Sequence, residues 1–208
     1  MTIHWTLFVP GLLLLLFPSD RLLSSMVTLR SFENFQSLEN SPRYRPWWWV
    51  PALWIDPIRG LVGTLLLKHD FASAAADATV AARPAYWLVV GILGLAVLCQ
   101  TFTRRDEHVL LAPIGFIGGM VAALAPLPVT LIGLAMATTG LFAFRRFHAF
   151  FSVGLAMVAL LGLLFGARVV WLAPAVVALG LPIVAGVVTG YTLELPTRSG
   201  SGPRHLPV

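Results

Sequence analysis

Apolar residues in this chain fall into long blocks separated by short polar connections, rather than alternating or recurring on one face. The blocks cover residues 3–18, 47–67, 85–102, 109–125, 129–144, 149–165 and 169–191. Most are close to the ~20 residues an α-helix needs to cross about 30 Å of hydrocarbon. The pattern predicts an all-α integral membrane protein, a single polytopic domain over 1–208 with about seven transmembrane helices. The first block is short and contains Pro10 and Gly11. A six-span version, with that block lying in the interface, keeps the same arrangement of charges. The block superficially resembles a signal peptide but lacks a basic leading region and a small-x-small cleavage site, so it reads as a retained first helix.

The connections carry their own pattern. Residues 126–128 and 166–168 are tight links that favour adjacent antiparallel helices. Residues 19–46 form the one long connection; Leu22, Leu23, Met26, Val27, Leu29, Phe32, Phe35 and Leu38 approximate a helical stripe, which predicts an amphipathic helix on the membrane surface or a docking face. Residues 71–82 are Ala-rich and predict a short surface helix. The tail, 192–208, holds Gly, Pro and Ser and is expected to lack order from residue 196 unless something holds it. Gly115/Gly119, Gly162/Gly166 and Gly186/Gly190 have the small-xxx-small spacing of close helix packing. Arg104 and Arg105 followed by His108, then Arg145 and Arg146 followed by His148, suggest a hairpin repeat, although Arg pairs also arise wherever a turn faces the cytoplasm.

Composition agrees with the blocks: 58% of the 208 residues are hydrophobic and 11% charged. A soluble domain carries about 25% charged residues. The +5 net charge is therefore read as topology and lipid contact, and nucleic acid is not an expected partner. Arg21, Arg30, Arg43, Arg45, Arg104, Arg105, Arg145, Arg146, Arg198 and Arg204 fall on the side reached after the first span. Lys68, Arg83 and Arg168 fall on the other, a contrast of ten against three. The positive-inside rule makes the first side cytoplasmic, with the N-terminus outside and the C-terminus inside. Were 47–67 not to cross, the contrast would shrink to eight against six. Lys68 is the one lysine among fourteen basic residues, a bias that points to a bacterial source and so to the inner membrane.

Candidate chemistry is sparse. Asp56 and Arg59 are the carboxylate and guanidinium inside a predicted span, where burial is costly unless they pair. At i,i+3 they can pair with each other; alternatively Asp56 followed by Pro57 is a helix cap, or the two hold an ion, proton or substrate. Trp47, Trp48, Trp49 and Trp54 form an aromatic anchor for the headgroup boundary. Arg104, Arg105, Arg145 and Arg146 are candidates for contact with anionic lipid or a partner. Cys99, Gln100, Thr138, Thr139, Ser152, Thr189 and Tyr191 are mild polar residues expected to hydrogen-bond between helices. The five His residues never fall two to one helix face, which argues against haem or a helical metal site, and the single Cys99 excludes an intrachain disulfide. No lysine lies in 169–191 to hold retinal, and hydrolase, Walker and dinucleotide motifs are missing. No cofactor is specified. The expected function is a non-catalytic structural or accessory subunit of a larger membrane complex, with lipid and protein partners. A small transporter or channel using Asp56 and Arg59 is the first alternative, and an enzyme acting on a lipid phosphate the second.

Overall fold

In a computed structural model of the chain, residues 5–17, 27–30, 51–71, 84–103, 105–106 and 109–198 are described. Among them are seven helices: α1 (Trp5–Leu16), α2 (Pro51–Phe71), α3 (Pro84–Phe102), α4 (Ile114–Leu124), α5 (Leu127–Phe144), α6 (Phe147–Leu164) and α7 (Val169–Thr189). α5, α6 and α7 are long and apolar enough to cross a membrane. At 1.5 Å per residue the 18-residue helices α5 and α6 are each about 27 Å long. Their outward residues, among them Leu131, Phe142, Leu160 and Leu164, are exposed, as are Val184 and Val188 of α7. An apolar surface of that extent belongs against lipid or another protein.

The block at 109–125 is not one helix. Residues Val109–Leu111 form a strand, and the helix begins only at Ile114, with Pro113 as its N-cap. Proline favours extended backbone in the residue before it and has no N–H for a helical bond, so the run breaks there. The Ala112 N–H instead donates to the Glu194 carbonyl at 2.7 Å. The helix that remains has 11 residues, about 16 Å, roughly half a bilayer core.

Four strands make one sheet in the order β1–β4–β3–β2, where β1 is Val27–Arg30, β2 Arg105–Asp106, β3 Val109–Leu111 and β4 Thr192–Arg198. β4 works in two halves. Residues 192–194 run parallel to β3, and residues 195–198 run antiparallel to β1. Two expectations are corrected here. Residues 27–30 are strand rather than amphipathic helix, because Val27 and Thr28 are β-branched and β4 offers a ladder to pair with; the remainder of 19–46 lies outside the described residues. Residues 196–198, expected to lack order, are held by pairing with residues 27–29. The Ala-rich 72–82 stretch and the tail beyond residue 198 also lie outside the described residues.

Packing centres on α4, where Phe116, Ile117, Met120 and Val121 are fully buried. α4 packs chiefly on α2 and α7 rather than on α3, which precedes it. Gly60 of α2 and Gly119 of α4 sit where the two backbones touch: a Cβ at Gly60 would meet the Phe116 carbonyl, and one at Gly119 the Pro57 carbonyl. α5 and α6 interlock similarly, with Gly133 against Val158, Gly140 against Val153 and Gly154 against Ala137. Gly162 packs on Leu172 and Gly186 on His148, but their spacing partners Gly166 and Gly190 are left-handed helix ends at φ 61° and 70°, with open space at the Cβ position. The Ala167 N–H closing onto the Gly162 carbonyl at 2.8 Å is the hydrogen bond of a Schellman ending. The hairpin repeat does not carry through: α5 and α6 join through the two residues Arg145 and Arg146, while α3 and α4 are separated by β2 and β3.

Candidate functional site

Arg59 lies about two turns into α2, and 8% of its surface is exposed. Its Nη1 donates to Asp56 Oδ1 at 3.0 Å, the i,i+3 pair expected from their spacing. The rest of the guanidinium reaches α1, which packs along α2 through Gly11 and Gly63. Nε and Nη2 donate to the Leu14 carbonyl at 3.2 and 3.0 Å, and Nη2 also donates to the Phe17 carbonyl. Gln100, near the end of α3, donates Nε2 to the Phe17 carbonyl at 3.2 Å and to that of Leu15 at 3.4 Å. The Phe116 ring stands 5.9 Å from the guanidinium carbon, at cation–π distance.

This geometry has a single physical theme. The last four carbonyls of a helix have no partner inside it and carry the negative end of the macrodipole. Where such carbonyls are packed away from water, donors from other elements must satisfy them. Arg59 and Gln100 do so for α1, and Asp56 balances the remaining charge of Arg59. Asp56 is not a cap of its own helix: residues Pro51–Ile55 are already helical before it, and Pro57 sits inside α2. The Asp56 side chain keeps 30% of its surface exposed.

Lys68 has the same role farther along α2. Its Nζ donates to the Ala123 carbonyl at 2.7 Å, in the last turn of α4, and lies 5.5 Å from the Trp171 ring centroid. Sequence reasoning missed this residue, counting it only as a basic residue beyond a span. Its signal was its singularity, one lysine in an arginine-rich chain. Lys68→Met is expected to lower stability in detergent by about 1–2 kcal/mol, because a charged hydrogen bond to a helix end and a cation–π contact are both lost. An unchanged unfolding midpoint for that variant would show that Ala123 finds another donor.

The other predicted residues are dispersed. Trp47, Trp48, Trp49 and Arg104 lie outside the described residues. Trp54 is exposed in the first turn of α2. Arg105 opens β2, while Arg145 and Arg146 are both exposed in the α5–α6 turn. Most mild polar residues do not bridge helices as expected. Thr138, Thr139, Ser152 and Thr189 donate to the carbonyls of Leu134, Ala135, His148 and Ala185, each four residues back in its own helix. Ser and Thr hydroxyls readily bond back onto the carbonyl four residues earlier, whereas the longer Gln100 crosses to α1. Thr130 is the exception, donating to the Val121 carbonyl of α4 at 3.4 Å. The Thr64 hydroxyl is buried without a hydrogen-bond partner. Among the described residues no three His, Cys, Asp or Glu side chains gather as a metal site would require.

No protein-family model matches this chain, and no curated protein or solved structure matches it either.

Proposed function

We propose that this chain is a non-catalytic accessory or structural subunit of a larger complex in a bacterial inner membrane. In this reading it crosses about seven times, with its N-terminus outside and its C-terminus in the cytoplasm. The observation that carries the proposal is the use of Arg59 and Lys68. These two cations of α2 are both engaged on the carbonyl ends of neighbouring helices, and Asp56 is engaged on Arg59. Groups committed to holding helix ends together are poorly placed to bind and release a transported ion or to protonate a substrate.

The orientation is supported by charge, and the placement of three connections on one side by the sheet. The contrast of ten basic residues against three follows the positive-inside rule. In addition, β1, β3 and β4 come from the first long connection, the α3–α4 connection and the segment after α7, and seven alternating crossings put those three on one side. Strands on opposite faces of a bilayer could not share a sheet. The exposed apolar faces of α5, α6 and α7 supply surface that either lipid or partner helices would cover.

The test is purification from the native membrane in a mild detergent, followed by native mass measurement. Stoichiometric co-elution with other membrane proteins is the expected result. A partner-free particle would overturn the subunit reading and leave transport through the partly exposed Asp56 as the reading to pursue.

A further inference from the structure

The end of the bundle that carries the sheet gathers arginines from four separate stretches of chain. Arg30 closes β1, Arg105 opens β2, Arg198 closes β4, and Arg145 and Arg146 make the α5–α6 turn. The turn stands beside the sheet: the His148 ring and the Tyr191 carbonyl meet over Gly186, and α6 packs against β4. Acidic residues that described elements place at the same end are Asp106 of β2, Glu194 of β4 and Asp56, which is held by Arg59.

The backbone at Arg145 separates this turn from an ordinary basic connection. Three positions among the described residues are left-handed, Arg145 at φ 53°, Gly166 and Gly190. All three end helices, and two of them use glycine, which adopts that conformation without strain. At the third, a residue with a Cβ and a long cationic side chain occupies a position where glycine would be easier. Phe142 and Phe144, just before it in α5, are 58% and 66% exposed. Arg145 and Arg146 therefore stand where an apolar, lipid-length helix surface gives way to a polar end, the depth at which phospholipid phosphates lie.

We propose that the Arg145–Arg146 turn binds the phosphate headgroup of an anionic phospholipid. Guanidinium groups grip phosphate oxygens in paired hydrogen bonds. The adjoining exposed phenylalanines give the acyl chains an apolar surface, which an acidic protein or a free anion would not use. The proposal does not rest on the subunit reading; it needs only that α5 and α6 lie in lipid.

The test uses the full-length protein in a non-ionic detergent, titrated with dioleoyl phosphatidylglycerol or dioleoyl phosphatidylcholine and read by native mass spectrometry and thermal midpoint. Wild type is expected to retain phosphatidylglycerol preferentially. Arg145→Gly and Arg146→Gln should each weaken that binding roughly fivefold, the loss of one arginine at an anionic surface. Arg145→Gly should at the same time raise the thermal midpoint in phosphatidylcholine, because the left-handed strain is relieved. Equal retention of the two lipids by wild type, or undiminished phosphatidylglycerol binding by the double variant, would overturn the proposal. So would a lower midpoint for Arg145→Gly in phosphatidylcholine, which would assign the arginine to the fold. Complete displacement of phosphatidylglycerol by millimolar inorganic phosphate would also overturn it, making the ligand a free ion instead of a lipid.

Discussion

Arg59→Met is expected to destabilise the bundle by about 3–5 kcal/mol, the loss of charged hydrogen bonds that leaves helix-end carbonyls short of donors. Methionine fills the volume with apolar atoms but donates nothing. The Leu14 carbonyl then loses both of its guanidinium contacts, the Phe17 carbonyl keeps Gln100 alone, and Asp56 is left without its cation. Asp56→Asn should cost far less, about 1 kcal/mol, because that side chain is 30% exposed and the guanidinium still caps α1. The two substitutions together should match Arg59→Met alone, since the carbonyls and not the carboxylate carry most of the loss. Unfolding midpoints in a denaturing detergent titration give all three values. Should Asp56→Asn prove as damaging as Arg59→Met, the ion pair would be the centre of the site, and the capping account would fall. Hydrogen exchange adds a location: the C-terminal turn of α1 should open first in Arg59→Met, while α5 and α6, which pack closely on each other, stay protected.

Much of this arrangement could be read from the chain, and the failures have specific causes. Six of the seven predicted apolar blocks are helical along most of their length, because a long apolar run has few other stable forms when water is absent. The remaining block went wrong at Pro113: hydropathy averaged over 109–125 cannot see one residue that lacks an N–H. The sheet was not legible, because β4 pairs with segments far earlier in the chain, and no local pattern specifies such pairing. Asp56 and Arg59 stood out as charges inside an apolar run, and their i,i+3 spacing gave the pair. What the spacing could not give was the third party. The end of α1 is 45 residues away from Arg59 in sequence, so an ion pair that also caps a foreign helix has the same spacing as one that holds a substrate.

The second large effect belongs to the crossing of α2 and α4. Gly119→Leu is expected to abolish the folded bundle, and Gly119→Ala to lower its stability by about 3 kcal/mol or more. A Cβ at residue 119 would run into the Pro57 carbonyl and press on the Leu61 N–H. Backbone atoms cannot rotate aside as a side chain tip can, so the helices must move apart. Separation would also draw Lys68 away from the Ala123 carbonyl, uncapping α4 as the core around Phe116 and Met120 loosens. Gly118 provides the control within the same helix. Its added methyl would meet only the tips of Leu134, at 3.8 Å, which is ordinary contact. Alanine is also the better helix former by about 0.5–1 kcal/mol, so Gly118→Ala should be neutral or stabilising. Thermal midpoints of the two alanine variants should thus diverge although the residues are neighbours. Equal losses at both positions would mean that α4 responds to the replacement of any glycine. A loss confined to residue 119 would fix the cause as contact between backbones, and would make α2 and α4 a single unit on which the remaining helices are assembled.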